Sequence, residues 1–267
     1  MKLGLVQSNI LWEDKVCNKE KAILKMREAK KVDIDILLFP EMSFTGFTMN
    51  VVGAGEQVTD KDSTVNFLRE SALKYGMNLG AGWIERIETK LTGTDQAPCV
   101  RGKNHYTIVN REGQVVLDYV KMHPFSYSGE DHYYEAGDGY EVVELEGVPL
   151  TAFICYDLRF PMNFWKASEK AHLIIVPANW PRRRIEQWKI LLQARAIENQ
   201  VYIAAINCVG IIGDIEYSGA SCVINPKGEV VAMLEDIEDM IVVELNDDVE
   251  DQRRKFPVHK DRRPEER

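Results

Sequence analysis

Val148-Pro149-Leu150-Thr151-Ala152-Phe153-Ile154-Cys155 is an almost unbroken apolar run of strand length that ends on a thiol, and Tyr156-Asp157-Leu158-Arg159-Phe160-Pro161 follows as a polar break before a helical pattern. A run that is apolar at nearly every position, rather than at alternate ones, marks a strand covered on both faces, as in the parallel sheets of α/β proteins. The sulfur therefore falls at a strand-to-helix elbow, where unpaired backbone N–H groups favour a thiolate and can hold an oxyanion. The opposing reading is an inert buried Cys, since cysteine is among the most buried residue types.

Two more strand-like runs end on ionisable residues. Asp35-Ile36-Leu37-Leu38-Phe39-Pro40 delivers Glu41, a carboxylate beside apolar surface that suits general acid/base work. Gln114-Val115-Val116-Leu117-Asp118-Tyr119-Val120 delivers Lys121, followed by Met122-His123-Pro124. Each has a plainer reading, a helix-start Glu paired on the surface and a solvated Lys closing a hairpin. Together they carry more weight, because ligands in open α/β sheets gather at the carboxyl ends of strands. A Cys-His pair is the competing chemistry. The histidines are His105, His123, His132, His172 and His259, and no local sequence selects one of them, so Cys-Glu-Lys ranks above Cys-His.

Working outward, strands are expected near 2–7, 35–40, 78–85, 104–110, 114–120, 140–145, 149–155, 173–178, 201–207, 219–225, 229–234 and 239–245. Helical spacing occupies about 14–31, 61–75, 160–169 and 184–199. Arg111-Glu112-Gly113 and Asn225-Pro226-Lys227-Gly228 read as hairpin turns. This mixture implies an α/β layered fold, and no Gly-, Ser- or Pro-rich linker divides it, so one domain is expected.

Composition narrows the function. The chain has 267 residues, 45% of them hydrophobic and 28% charged, with 33 Lys plus Arg against 42 Asp plus Glu and a net charge of −9. That balance argues against nucleic acid as a partner, because phosphate neutralisation needs concentrated cations. No apolar run approaches a membrane span, and no signal-peptide pattern opens the chain, so a cytoplasmic protein without a membrane partner is expected. Cys17, Cys99, Cys155, Cys208 and Cys222 are scattered without zinc-ligand or disulfide-framework spacing, and no metal is expected. The basic stretch around Arg253, Arg254, Lys255, Lys260, Arg262 and Arg263 is interleaved with acids and reads as a solvated extension.

Phe39-Pro40-Glu41, Lys121-Met122-His123-Pro124-Phe125 and Ile154-Cys155-Tyr156-Asp157-Leu158-Arg159-Phe160-Pro161, at separations of 80 and 34 residues between Glu41, Lys121 and Cys155, resemble the nitrilase (carbon-nitrogen hydrolase) superfamily from about residue 3 to residue 258. Glu41-Met42-Ser43-Phe44-Thr45-Gly46-Phe47, Pro177-Ala178-Asn179-Trp180-Pro181, Arg195-Ala196-Ile197-Glu198-Asn199-Gln200 and Arg253-Arg254-Lys255-Phe256-Pro257 look most like its bacterial omega-amidases.

The resemblance implies an α-β-β-α sandwich over residues 1–258, a C-terminal extension over 259–267, a homodimer or higher homo-oligomer, and no cofactor. It further implies hydrolysis of the terminal amide of 2-oxoglutaramate or 2-oxosuccinamate through a thioester on Cys155. Glu41 would be the general base, Lys121 and the Tyr156 N–H the oxyanion donors, and Glu130, with Asp131 and Glu135 close by, the auxiliary carboxylate that orients substrate or water. Arg159 is the candidate receptor for the substrate carboxylate, against a structural pairing with Asp157 or Glu198, and Arg182 or Arg183 could replace it. Phe44, Phe47, Tyr127 and Trp180 are candidates for the pocket wall. An N-carbamoyl amino acid hydrolase, another amidase or a nitrilase would keep the same three residues. A non-catalytic binding protein would be free to lose one.

Overall fold

A computed structural model describes residues 1–89, 99–246 and 248–263. In chain order its strands are β1 (Lys2–Gln7), β2 (Ile36–Leu38), β3 (Asn78–Thr89), β4 (Cys99–Val109), β5 (Val115–Val120), β6 (Val143–Leu145), β7 (Val148–Ala152), β8 (Leu173–Ala178), β9 (Tyr202–Asn207), β10 (Val209–Ile212), β11 (Ile215–Ile224), β12 (Val230–Glu235) and β13 (Asp239–Glu244). The helices are α1 (Lys15–Lys31), α2 (Val51–Ala54), α3 (Thr64–Tyr75), α4 (Glu130–Tyr133), α5 (Pro161–Ala167), α6 (Ile185–Asn199) and α7 (Val249–Lys255).

The strands form two sheets. One runs β13-β1-β2-β3-β4-β5, and the other runs β10-β11-β9-β8-β7-β6 with β12 beside β11. Leu5, Leu38, Tyr106 and Leu117 of the first sheet share a core with Leu150, Ile175, Ala204 and Val223 of the second. On the far side of the second sheet the same core takes in Phe164 of α5 and Trp188, Leu192 and Ala196 of α6. On the far side of the first, Ala22, Met26 and Ala29 of α1 and Leu68 and Ala72 of α3 cover Val6, Leu37, Leu79 and Ala81. The layers are therefore α-β-β-α. β7, β8 and β9 are parallel, and β8 is buried at all six positions, as its unbroken apolar run requires.

The apolar run that ends on Cys155 outlasts its strand. β7 stops at Ala152, and the Phe153 N–H still reaches Ile175 O at 2.9 Å, but the Ile154 N–H turns away to Asp157 Oδ2 at 2.9 Å. Burial continues through the elbow while ladder hydrogen bonding ends, so hydrophobicity alone places the boundary too late. β2 is likewise confined to three residues of the expected 35–40, and β11 starts four residues before the expected 219. β10, α2, α4 and α7 are additional to the expected elements. All are short, which leaves little periodicity to read.

The C-terminal segment differs from the solvated extension expected at 259. Arg262 is only 4% exposed; its Nη1 donates to Trp165 O at 2.8 Å and its guanidinium lies 3.8 Å from the Trp165 ring centre. His259 Nε2 lies 2.9 Å from Asn199 O, and Arg253 Nη2 donates to Ser168 O and Ala171 O at 2.8 and 3.1 Å. Carbonyls left over where α5 and α6 end supply acceptors that a charge count cannot foresee. No helix among the described residues is long and apolar enough to cross a membrane.

Candidate active site

Four strand ends converge between the sheets. Glu41 follows β2, Lys121 follows β5, Cys155 follows β7 and Asn179 follows β8. Lys121 Nζ donates to Glu41 Oε1 at 2.9 Å and to Glu130 Oε1 and Oε2 at 3.1 and 2.9 Å. All three side chains are at most 1% exposed. Asn104 Nδ2 bridges the two carboxylates, 2.8 Å from Glu41 Oε1 and 3.2 Å from Glu130 Oε1. The Asn179 N–H donates to Glu41 Oε2 at 2.9 Å, its Nδ2 donates to Glu41 O at 2.7 Å, and the Cys208 thiol steadies the same side chain through Asn179 Oδ1 at 3.2 Å. A buried ion cluster of this kind holds together only when nearly every donor and acceptor is paired.

The backbone around Glu41 is made for close approach. Ser43 Oγ donates to Pro40 O and accepts the Gly82 N–H, so the turn is pinned onto β3. A Cβ on Gly82 would lie 2.4 Å from Met42 N and 2.8 Å from Glu41 Cα, so only glycine lets the strand pass. Met42 is left-handed, at φ 43°.

Cys155 is also left-handed, at φ 48°, a conformation that costs a non-glycine residue about 1–3 kcal/mol unless its surroundings enforce it. Asp157 does the enforcing. This wholly buried carboxylate accepts the Ile154 N–H and the Tyr119 hydroxyl (2.8 Å) on Oδ2, and the His123 N–H (3.0 Å) on Oδ1, with His123 Nδ1 2.7 Å from Oδ1. It thereby ties the end of β5, which carries Lys121, to the elbow that carries Cys155. The Tyr156 N–H has no backbone acceptor among the described residues and is available to an oxyanion.

The elbow's free amides are expected to favour a thiolate, but the balance runs the other way. Burial first, and the Glu41 carboxylate second, push the Cys155 thiol well above its ordinary value, although Lys121 pulls it down. The resting nucleophile is a thiol that needs a base. Burial works against the charged form of Lys121, yet Glu130 and Glu41 outweigh it and raise its pKa well above normal, so it stays an ammonium. Glu130 is raised by burial and by Glu41, against the pull of Lys121.

Cys155 and Lys121 open onto a cavity of about 170 Å³ that also exposes Phe47, Phe125, Tyr127, Tyr156, Trp180 and Tyr217. Phe47, Tyr127, Tyr156 and Trp180 thus lie where the sequence suggests. Phe44 does not. It packs in the core against Phe39 and Phe67, at centroid distances of 6.3 and 5.5 Å, under α1 and α3. Phe125, already within a motif, Ser128, Arg184, Ile215 and Tyr217 are among the wall residues that sequence reading passed over. Glu130 does not line the cavity; it grips Lys121 from behind, while Asp131 is exposed and Glu135 faces Arg101 at 3.8 Å.

Arg159 lines the cavity and pairs with neither Asp157 nor Glu198. Its Nη2 donates to Gln187 Oε1 at 2.5 Å, and Glu198 is held by Arg195 at 2.8 Å. Arg182 is turned away, in ion pairs with Glu216 and Asp236, whereas Arg183 and Arg184 both border the cavity. No histidine borders it among the described residues, and no group of three metal-ligating side chains occurs among them.

The carbon-nitrogen hydrolase family model matches residues 2–254. The chain is 36% identical, over 77% of its length and 75% of the relative's, to a 2-oxoglutaramate amidase of Bacillus subtilis. It is 33% identical, over 88% and 85%, to omega-amidase YafV of Yersinia enterocolitica. Its fold superposes with a TM-score of 0.86, at 26% identity and over 98% and 97% of the two chains, on XC1258 of Xanthomonas campestris, a CN-hydrolase superfamily protein with an arsenic adduct in the active site.

Proposed function

The chain belongs to the carbon-nitrogen hydrolase family, and from that premise we propose that it is an omega-amidase, releasing ammonia from the terminal amide of 2-oxo acid amides such as 2-oxoglutaramate and 2-oxosuccinamate. The observation that carries this reading is that Cys155, Lys121 and Arg159 border one cavity, with a base against the ammonium and a guanidinium that pairs with no carboxylate among the described residues. The kinship with a 2-oxoglutaramate amidase and an omega-amidase supports the substrate class.

Each step uses a group already placed. Glu41 takes the Cys155 proton as sulfur attacks the amide carbon, which a thiol with a raised pKa requires. The oxyanion that forms is held by the Lys121 ammonium and the Tyr156 N–H, and one donor of this kind is worth about 10²- to 10³-fold in rate. Glu41 returns the proton to departing ammonia, leaving a thioester. It then deprotonates the water that cleaves the thioester, releasing the dicarboxylic 2-oxo acid and restoring the thiol. Glu130 is a positioning residue, keeping the ammonium charged and aimed. Arg159 accepts the far carboxylate with its planar fork.

The free thiols Cys17, Cys155, Cys208 and Cys222 support a reducing, cytoplasmic setting. Exposed Ile190 and Ile197 on α6 offer an apolar stripe for homodimerisation. The reading is tested by an ammonia-release screen over 2-oxo acid amides, N-carbamoyl amino acids, aliphatic amides and nitriles. Preference for the 2-oxo acid amides is expected; carbon dioxide released together with ammonia would identify a carbamoylase instead.

A further inference from the structure

Three consecutive arginines open α6, and their environments separate them. Arg182 is neutralised by Glu216 at 2.8 Å and by Asp236. Arg183 is exposed at the rim, where it also borders a shallow surface groove with Arg182 and Ile215. Arg184 is half-buried, with its guanidinium carbon 5.2 Å from the Phe125 ring centre. Arg159, which lines the same cavity, repeats the arrangement, 5.0 Å from the Trp180 ring centre.

Trp180 joins the two. Its face carries Arg159, and its Nε1–H donates to Arg184 O at 2.8 Å, which fixes where the second guanidinium starts. Neither Arg159 nor Arg184 has a carboxylate partner among the described residues, and no Asp or Glu lines the cavity. Two cations held near one another in a partly buried, aromatic-walled space repel. Burial first, then Arg183 and Arg159, lower the Arg184 pKa, while Cys155 opposes them. An anion between the two guanidiniums relieves that repulsion, and stacked guanidiniums present their edges, with paired N–H donors, to a planar acceptor.

We propose that Arg184 is a second specificity-determining residue, forming with Arg159 a two-guanidinium receptor for the planar 2-oxo carboxylate end of the substrate. The inference rests on the omega-amidase reading for the identity of the substrate, though not for the receptor itself. One guanidinium takes the carboxylate, and the other shares it and reaches the adjacent 2-oxo oxygen. Arg183 is outside the receptor.

The test compares kcat/KM for 2-oxoglutaramate with kcat/KM for pentanamide, which has no carboxylate, in the full-length enzyme. Arg184→Gln removes the charge together with the guanidinium that lies over Phe125. The ratio is expected to fall about 10- to 100-fold, as for loss of a charged hydrogen-bonding partner, chiefly through KM. Arg159→Lys is expected to lower the ratio as well, and Arg183→Gln to lower it less than either. An equal loss on both amides in Arg184→Gln would mean that the residue only supports the start of α6, and would overturn the proposal. A wild type that ignores 2-oxo acid amides but hydrolyses N-carbamoyl amino acids would defeat the substrate reading alone; the receptor would then be judged by the same ratio for an N-carbamoyl amino acid and a neutral alkylurea. A wild type that takes only neutral amides would defeat both.

Discussion

The protein places one basic side chain between two carboxylates twice, on opposite faces of the first sheet. Toward the second sheet, Lys121 lies between Glu41 and Glu130; on the other face, His105 lies between Asp118 at 3.0 Å and Glu85 at 3.1 Å, stacked on Trp83. Asn104 and His105 are neighbours on β4, and strand alternation sends the first to one cluster and the second to the other. The inner cluster is wholly buried and abuts a left-handed cysteine and a cavity. In the outer one, Glu85 and Asp118 keep 28% and 43% of their side chains exposed, and no left-handed residue occurs within it among the described residues. Paired charges alone do not mark a catalytic centre. What sets the inner cluster apart is a nucleophile with a raised pKa and space for a substrate beside it.

That contrast is broken most severely at Lys121. Lys121→Met removes an oxyanion donor and leaves two buried carboxylates facing each other, so kcat should fall by about 10²- to 10³-fold or more. Stability in urea should fall by about 3–5 kcal/mol as well. Glu41→Gln should lower kcat by about 10²- to 10⁴-fold while costing much less stability, because Glu130 still neutralises Lys121. If Glu41→Gln kept wild-type turnover, the base would have to be sought elsewhere.

Asp157→Asn comes next. An amide offers one acceptor oxygen where four contacts now converge, and the Cys155 elbow should relax. A loss of up to about 10²-fold in kcat is expected, as for misplacement of a reacting group. Slower iodoacetamide labelling at Cys155 would accompany it, whereas a purely structural role would leave labelling of the folded enzyme unchanged. His123→Ala removes one contact at the same hub and should have a smaller effect; a loss as large as that in Glu41→Gln would revive a Cys-His mechanism.

The smallest effect on turnover belongs to the outer cluster. Burial disfavours the charged imidazolium, but Asp118 and Glu85 outweigh it and raise the His105 pKa above its ordinary 6.5. Its contribution to stability is therefore complete below pH 6.5 and disappears as pH rises through the higher folded-state value. His105→Asn should leave kcat within about twofold of wild type, as is usual away from a site, yet abolish that part of the pH dependence in thermal unfolding. His259 has the opposite sign. Burial lowers its pKa to about 4, so the C-terminal segment should loosen as pH falls from 6.5 toward that value, as hydrogen exchange near Arg262 would register.

Part of this was legible in the sequence. Three apolar runs ending on Glu41, Lys121 and Cys155 announced the strands and the residues at their ends, because strand termination leaves local marks; β2 and β7 have parallel partners, whereas β5 is an antiparallel edge strand. Glu130 became visible only through the resemblance, since nothing in its own loop separates it from Asp131 and Glu135. Asn104 and Asn179 reach Glu41 across 63 and 138 residues, and no local pattern records such a contact. Phe44 and Phe47 are chemically alike, and a left-handed turn at Gly46, φ 71°, lies between the one in the core and the other on the cavity. The same holds for Arg182, Arg183 and Arg184, which the 3₁₀ turn Arg182–Arg184 aims in three directions.

The proposed reaction turns on a thioester at Cys155. The direct measurement is intact-protein and peptide mass spectrometry of enzyme mixed with 2-oxoglutaramate and quenched in acid during turnover. An adduct equal to substrate less ammonia, on the peptide that contains Cys155 and absent from Cys155→Ala, is the predicted result. An adduct on Cys208, which lies behind Asn179, or ammonia release at the wild-type rate by Cys155→Ala, would contradict the account.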